Sequence, residues 1–209
     1  MYSRNISIAF ILFAVLLVAC DAQRTSASRA RTLASVGLPF PEFSGTTLEG
    51  STVDNGIFRN KVTLVSAWRI GCEWSLVEIA EYNHLYDSIR DPRFQMISMA
   101  PQDRNDLRGH YDKYGSADIG GEDRVMPVVP HYPVVPMCVE GSTSAAAPGD
   151  GRCTALEELV GAEMYPITFV VGPDGVIRHR HDGLMVDPET LKPDLSEFKR
   201  ELDSLLTVL

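Results

Sequence analysis

The chain has 209 residues, of which 44% are hydrophobic and 22% charged, and its formal net charge at pH 7 is −9. This composition argues against a disordered chain, which would contain fewer apolar and more charged residues. The acidic charge argues against a nucleic-acid-binding protein, because such a protein needs a basic face to contact phosphates. Four cysteines are too few for a disulfide scaffold, so each one must be explained by its position.

The beginning of the chain predicts a secretory signal peptide. Arg4 is the only charged residue before position 21, and residues 6–19 are almost wholly apolar. This run is shorter than the roughly 20 residues of a membrane-spanning helix. A short positive end followed by a short apolar run is typical of a secretory signal.

Leu17-Val18-Ala19-Cys20 resembles the lipobox of bacterial lipoproteins. The resemblance implies that residues 1–19 are removed and that Cys20 carries the lipid, which anchors the protein on the periplasmic side of the cell envelope. An ordinary signal peptide with an incidental cysteine is the alternative. Asp21 resembles the residue that keeps some lipoproteins in the inner membrane. Residues 20–36 are polar and lack periodicity, which predicts a flexible tether.

From Gly37 onward the chain alternates predicted strands and helices. Residues 62–68 form a β-branched apolar run typical of a strand buried on both faces. Apolar residues three or four positions apart over 73–90 predict an amphipathic helix. Further strands are predicted over 94–99, 167–171 and 176–180. Further helices are predicted over 103–114 and 154–160. The last predicted helix begins at about Leu195, and Asp194 is predicted to be its N-cap. This order predicts one α/β domain over 37–209, a mixed sheet with helices on both sides.

The region over 116–153 is predicted to be an insertion in this domain. Four prolines recur every third residue from Pro127 to Pro136, which is the period of a polyproline II helix. They form either a ligand for an aromatic groove or an extended edge segment, and we favour the second. Residues 132–137 could form an edge strand, and residues 142–151 are predicted to be a loop.

Cys72 lies between a predicted strand and a predicted helix. The N–H groups and the dipole at a helix N-terminus favour the thiolate, the reactive form of cysteine. Glu73 opposes this effect by charge repulsion, and Trp74 could desolvate the thiol. The alternative is that Cys72 is a small buried apolar residue.

Three segments resemble membrane-anchored thioredoxin-like proteins of the redoxin family, the TlpA and AhpC/TSA types. They are Lys61-Val62-Thr63-Leu64-Val65-Ser66-Ala67-Trp68-Arg69-Ile70-Gly71-Cys72, the hairpin sequence over 38–50, and Tyr165-Pro166-Ile167-Thr168-Phe169-Val170-Val171 with the Pro173-Asp174-Gly175 that follows. The resemblance implies a thioredoxin-like fold with an N-terminal hairpin and a cis peptide bond before Pro166, beside Cys72. There the backbone would pair with an extended substrate segment.

The redox motif departs from the family. The usual Cys-x-x-Cys is here Cys72-Glu73-Trp74-Ser75, and a serine cannot form a disulfide with Cys72. The threonine that precedes the reactive cysteine of peroxiredoxins is replaced by Arg69. The candidate catalytic residues are therefore Cys72, Ser75 and Pro166, acting without a cofactor.

Cys138 and Cys153 flank the predicted loop. The favoured interpretation is a structural disulfide between them, and the alternative is that one of them is the resolving partner of Cys72. His179 and His181 alternate on a predicted strand, a spacing that can hold a metal. An exposed hairpin face is the favoured interpretation of this pair, and no metal site is predicted.

Two classes of function follow. The first is a thiol-disulfide oxidoreductase that acts through Cys72 on protein thiols or disulfides, with a thiol peroxidase that consumes peroxide as a variant. The second is a non-catalytic thioredoxin-fold lipoprotein that binds or assembles its partners.

Overall fold

The computed structural model describes residues 34–114, 116–118, 125–127, 129–141, 153–187, 189 and 193–208. The predicted signal peptide, Cys20, Asp21, nearly all of the tether and the loop over 142–151 lie outside the described residues. Within the described part of the chain, no helix combines the length and the apolar character needed to cross a membrane.

The described residues form nine strands and four α-helices in an alternating order. The strands are β1 (Ser44–Thr46), β2 (Thr52–Asp54), β3 (Val62–Ala67), β4 (Phe94–Ala100), β5 (Ser116–Asp118), β6 (Val125–Pro127), β7 (Val134–Pro136), β8 (Ile167–Val171) and β9 (Ile177–Asp182). The helices are α1 (Glu73–Ser88), α2 (Arg104–Tyr114), α3 (Ala155–Val160) and α4 (Ser196–Val208), and a 3₁₀ turn spans Asn55–Phe58. The predicted elements are all present, and the short β5–β6 hairpin in the insertion was not predicted.

The main sheet has five strands in the order β7-β4-β3-β8-β9. Strands β3, β4 and β7 are parallel, whereas β8 and β9 are antiparallel to their neighbours. The sheet is therefore mixed, as predicted, and β7 confirms the edge strand expected within residues 132–137. Because the carboxyl ends of parallel strands meet at one edge of a sheet, the residues that follow β3, β4 and β7 lie along the same edge.

Helices cover both faces of this sheet because successive strand residues point to opposite sides. On one face, Val62 and Leu64 of β3 pack against Tyr82 of α1 and Phe198 of α4. On this side α2 also contributes a buried leucine, Leu107. On the opposite face, α3 and the N-terminal segment pack against the sheet, through residues that include Phe40, Phe58, Val65, Leu156 and Phe169.

The first described residues lie along the outer edge of β9. The amide of Gly37 donates to the carbonyl of Ile177, and the amide of Ile177 donates to the carbonyl of Leu38. Ala34 is buried, and its carbonyl oxygen accepts a hydrogen bond of 3.0 Å from Arg180. Residues 34–36 therefore also contact the domain. The domain boundary at Gly37 stays a prediction.

The interpretation of β9 as an exposed hairpin face is wrong. The rings of His179 and His181 pack edge-on against Phe198 at centroid distances of 5.1 and 6.3 Å, and His179 Nε2 is buried. The side chain of Arg180 is only 9% exposed and donates to the carbonyl of Val160 as well as to that of Ala34. The reason is that α4 covers one side of β9, whereas α3 and the N-terminal segment cover the other.

Candidate active site

Cys72 occupies the N-cap position of α1, at the edge where β3 ends. The loop between them includes Gly71, whose φ of 79° lies in the left-handed region that favours glycine. The Cys72 thiol is free and partly exposed, and it donates to the carbonyl oxygen of Tyr165 at a distance of 3.5 Å. The structure thus places a free thiol at a helix N-terminus, beside the segment that enters β8.

Pro166 lies beside this thiol because β8 pairs with β3. The register places Ile167 opposite Ala67, so the residues before Ile167 face the loop that follows Ala67. The Tyr165–Pro166 peptide bond is cis, as the resemblance implied. Two strands that are distant in sequence therefore bring Cys72 and Pro166 to one site.

Ser75 faces the interior from the first turn of α1. It has no exposed surface, and its Oγ has no hydrogen-bond partner among the described residues. The preceding residues of the same turn, Glu73 and Trp74, are exposed. The position where the Cys-x-x-Cys motif of the resembled family carries its second cysteine is thus buried in this chain and holds a hydroxyl.

A buried acid, Glu78, lies on the inner face of α1 one turn after Ser75. It is 1% exposed, and the hydroxyl of Thr168 donates to its Oε2 at 3.5 Å. The Tyr82 hydroxyl donates in turn to Thr168 Oγ1 at 2.8 Å. Burial raises the pKa of Glu78 to about 8, and its hydrogen bonds with Tyr82 and Thr168 offset only part of this effect. The carboxyl group is therefore mainly protonated at neutral pH.

Glu78 was missed by sequence analysis, although a signal existed. The helix period that made Ile79 and Tyr82 core residues also places Glu78 on the buried side. A carboxyl group in the apolar stripe of an amphipathic helix is unusual, because an unpaired buried charge is strongly unfavourable.

Glu78 contacts one end of a row of hydroxyl side chains that crosses the sheet beneath α1. The strand register aligns Ser98 of β4, Ser66 of β3 and Thr168 of β8, all of them buried. Tyr132 borders the same region, and burial, with the nearby Glu78 carboxyl second, raises its pKa well above the ordinary value. The core behind Cys72 therefore contains a polar row, Ser98, Ser66 and Thr168, in an otherwise apolar interior.

Cys138 and Cys153 form the disulfide that was favoured from the sequence, and they are 15 residues apart. The Cys153 amide donates to the carbonyl of Pro101, and the Cys138 amide donates to the carbonyl of Gln102. The side chain of Gln102 accepts a hydrogen bond of 3.5 Å from the amide of Ile70, two residues before Cys72. The disulfide therefore braces the sheet edge that carries Cys72, while Cys72 itself is unpaired.

Two exposed apolar side chains belong to the segments that carry Cys72 and Pro166. Trp74 is 61% exposed and Met164 is 55% exposed, whereas the other tryptophan, Trp68, is fully buried. The Arg69 guanidinium lies 6.0 Å from the centre of the Tyr165 ring.

Among the described residues, no group of three His, Cys, Asp or Glu side chains is arranged to hold a metal ion. His179 and His181 are therefore not part of such a group.

Comparison with solved structures defines the class of the fold. The chain matches the C-terminal domain of a Bacteroides thetaiotaomicron protein described as a thiol-disulfide oxidoreductase, with a TM-score of 0.56, 12% identity and coverage of 84% of this chain and 99% of that one. It matches a thiol-disulfide oxidoreductase from Bacteroides fragilis with a TM-score of 0.52 and 18% identity, covering 78% and 99% of the two chains. It also matches the exposed lipoprotein thioredoxin of Streptococcus pneumoniae with a TM-score of 0.53 and 15% identity, again covering 78% and 99%.

These matches show that the chain has a thioredoxin-like fold. No protein-family model matches the sequence, and no curated protein sequence matches it.

Proposed function

We propose that this protein is a thiol-disulfide oxidoreductase that acts through the single thiol of Cys72. The observation that carries the proposal is the position of that thiol, which is free, partly exposed, at the N-cap of α1 and 3.5 Å from the carbonyl oxygen of Tyr165. The solved structures that share the fold include thiol-disulfide oxidoreductases, which is consistent with this chemistry.

The reaction is thiol-disulfide exchange. The Cys72 thiolate attacks one sulfur of a client disulfide, which forms a mixed disulfide and releases the other client sulfur as a thiolate that takes up a proton. Ser75 cannot attack this mixed disulfide. A second thiol, from the client or from an external thiol compound, must therefore attack it, form a new disulfide and release the Cys72 thiolate.

The absence of a second cysteine in the motif restricts which thiol-disulfide reactions the protein can carry out. Cys138 and Cys153 are bonded to each other, so neither is the resolving thiol in the arrangement described here. We infer that the mixed disulfide at Cys72 is long-lived and that the protein exchanges or isomerises client disulfides rather than reducing them in a two-cysteine cycle.

A second candidate is a binding or assembly protein without catalytic turnover. The observation that favours it is the burial of Ser75, whose hydroxyl has no exposed surface and takes the place of the internal resolving thiol. In this case the surface formed by Cys72 and the Tyr165–Pro166 backbone would hold a partner without exchanging the partner's disulfides.

We also propose that the protein acts outside the cytoplasm, tethered to the bacterial membrane. The support is the sequence that resembles a lipobox at Cys20, together with the shared fold of an exposed lipoprotein thioredoxin. Residues 1–19 would be removed, residues 20–36 would form the tether, and Asp21 favours retention in the inner membrane. Incorporation of labelled fatty acid into the wild type but not into Cys20→Ala tests the anchor.

Trapping of a peptide that contains a disulfide separates the two candidate functions. The wild-type protein is expected to form a mixed disulfide with the peptide and then to release exchanged peptide when a second thiol is added. Cys72→Ser is expected to do neither, and a Cys138→Ser/Cys153→Ser variant is expected to retain the reaction. Equal binding of the peptide by the wild type and by Cys72→Ser, without a mixed disulfide, would favour the binding protein. A wild type that forms no mixed disulfide contradicts the oxidoreductase proposal.

A further inference from the structure

A four-residue turn leads from the end of β3 to Cys72. The Cys72 amide donates to the carbonyl of Arg69 at 3.4 Å, which closes the turn. Gly71, the third residue of the turn, has a φ of 79°, the positive value that a type II turn requires at this position. The carbonyl of Cys72 in turn accepts the bond from the Leu76 amide that starts α1. The position of the thiol therefore depends on how firmly this turn is held.

A buried glutamine at the end of the neighbouring strand holds the turn. Gln102 follows β4 and is only 1% exposed, and its side-chain oxygen accepts a hydrogen bond of 3.5 Å from the amide of Ile70. This amide takes no part in the bond that closes the turn, and the Ile70 side chain packs against the apolar cluster that includes Trp68. Burial of a polar side chain is unfavourable unless it is hydrogen-bonded. Gln102 thus connects the turn before Cys72 to the end of β4.

The disulfide fixes the backbone that carries Gln102. The Cys138 amide donates to the carbonyl of Gln102 at 3.3 Å, and the Cys153 amide donates to the carbonyl of Pro101 at 3.0 Å. The bond between the two cysteines ties together two segments that are 15 residues apart in the chain. Both segments are therefore held on the same two carbonyl groups while the disulfide is intact.

Asp103 fixes the backbone on the other side of Gln102. Its Oδ1 accepts hydrogen bonds of 2.9 Å from the amides of Asn105 and Asp106, at the start of α2. Its Oδ2 accepts a hydrogen bond of 3.3 Å from the amide of Gly141, three residues after Cys138. The backbone is thus restrained before and after Gln102, so its side chain is presented to the turn from a fixed position.

We propose that Gln102 is a positioning residue for Cys72 and that the Cys138–Cys153 disulfide controls the reactivity of Cys72 through it. This inference rests on the proposed exchange reaction at Cys72 and adds a control of its rate. Attack on a disulfide needs the thiolate sulfur in a narrow range of positions and directions. A loosely held turn spreads the sulfur over positions from which it cannot attack. Cys72 therefore reacts at its full rate only while Gln102 and the disulfide are both in place.

Replacement of Gln102 by methionine tests the positioning role, because methionine has a similar size but lacks the amide oxygen. The probe is a small aromatic disulfide. The Cys72 thiolate attacks one of its sulfurs, forms a mixed disulfide and releases an aromatic thiolate that is measured by absorbance. Gln102→Met is expected to slow this release about fivefold, the factor that corresponds to one net hydrogen bond. The rate of Cys72→Ser is subtracted from each measurement.

Gln95→Met is the matched control. Gln95 lies at the opposite end of β4, where its side chain donates to the carbonyl of Ile57 and to Thr63 Oγ1. The replacement therefore also removes hydrogen bonds of a glutamine in the same segment, but far from the turn. It is expected to leave the rate at Cys72 unchanged, whereas a general loss of stability would affect both glutamine variants.

A double-mutant cycle tests the link to the disulfide. Cys138→Ser/Cys153→Ser is expected to retain the reaction but to slow it, also about fivefold, because the restraint on Gln102 is lost. Addition of Gln102→Met to this variant is expected to cause little further loss, since the two changes remove the same restraint. Hydrogen exchange at the Ile70 amide is expected to be faster in both variants, whereas exchange at the amide of Val65 in β3 is expected to be unchanged.

The outcomes that overturn the inference are distinct from those that overturn the proposed function. Equal rates in the wild type and Gln102→Met overturn the positioning role. Losses that multiply when the changes are combined overturn the control by the disulfide. If Gln102→Met does not fold, an unchanged rate and unchanged Ile70 exchange in the disulfide-free variant overturn both. A wild-type thiol that does not react with the probe overturns the proposed function instead, and Ile70 exchange then still decides whether Gln102 holds the turn.

Discussion

The thiol of Cys72 lies 3.5 Å from the carbonyl oxygen of Tyr165, although the two residues are 93 positions apart in the chain. The contact joins the start of α1 to the segment that enters β8. It exists because β3 and β8 are adjacent in the sheet, with Ala67 opposite Ile167. A free thiol is thus held beside the backbone that, in the proposed function, pairs with an extended client segment.

Ser75→Cys is expected to create a two-cysteine redox centre. Ser75 is one helical turn from Cys72, and the replacement enlarges a small buried side chain whose hydroxyl makes no hydrogen bond in the described structure. After mild oxidation, thiol titration should find no free thiol in the mature variant, apart from any at Cys20, but one in the wild type. Equal thiol counts in the two proteins would contradict the expected geometry, and Ser66→Cys, at another buried position, is a matched control.

Glu78→Gln is expected to change how stability depends on pH. In the folded protein, burial raises the pKa of Glu78 from 4.5 to about 8. The folded state therefore holds a proton that the unfolded chain releases between these values, and Glu78 lowers the free energy of unfolding increasingly from about pH 4.5 to about pH 8. Glutamine is neutral throughout, so the variant should gain on the order of a few kcal/mol relative to the wild type across this range.

Denaturant unfolding at several pH values measures this difference. Glu81→Gln, on the same helix but partly exposed, is the matched control and should show a much smaller change. A stability difference between Glu78→Gln and the wild type that is constant from pH 5 to pH 8 would show that the Glu78 carboxyl is not buried as described.

Loss of the Cys138–Cys153 disulfide is expected to destabilise the fold. The bond closes a loop of 15 residues, which corresponds to about 3 kcal/mol on the chain-entropy model. Cys138→Ser/Cys153→Ser should therefore unfold at a lower denaturant concentration, and the reduced wild type should match it. A variant as stable as the oxidised wild type would mean that the two cysteines are not paired in the protein.

Tyr82→Phe is expected to lower the free energy of unfolding by about 1 kcal/mol, the typical contribution of one hydrogen bond. The lost bond is the one from the buried Tyr82 hydroxyl to Thr168 Oγ1, at 2.8 Å. Tyr86→Phe on the same helix, where the ring is partly exposed, is the control. Equal stabilities for Tyr82→Phe and the wild type would show that this bond contributes no net stability.

Local sequence patterns alone predicted most of the secondary structure of this protein. The apolar run over 62–68, the helix period after Cys72 and the turn before β9 predict the main elements, because the backbone preferences of strands, helices and turns depend on nearby residues. The same patterns place Cys72 at a helix N-terminus, and the resemblance implies that Ser75 stands where the related proteins carry a second cysteine. The mixed sheet with helices on both sides followed from the order of these elements, and the thioredoxin-like architecture was implied by the resemblance.

Only the tertiary structure revealed the pairing of Glu78 with Thr168 and the alignment of Ser66 with Ser98 and Thr168. It also showed that His179 and His181, predicted to lie on an exposed hairpin face, pack against Phe198 of α4, and it selected Cys138–Cys153 over a bond to Cys72. These features depend on strand register and on contacts between residues far apart in the chain, which leave no periodic signal in the sequence. The count of four cysteines and the motif at Cys72 are properties of the sequence, whereas the surroundings of that single thiol are a property of the fold.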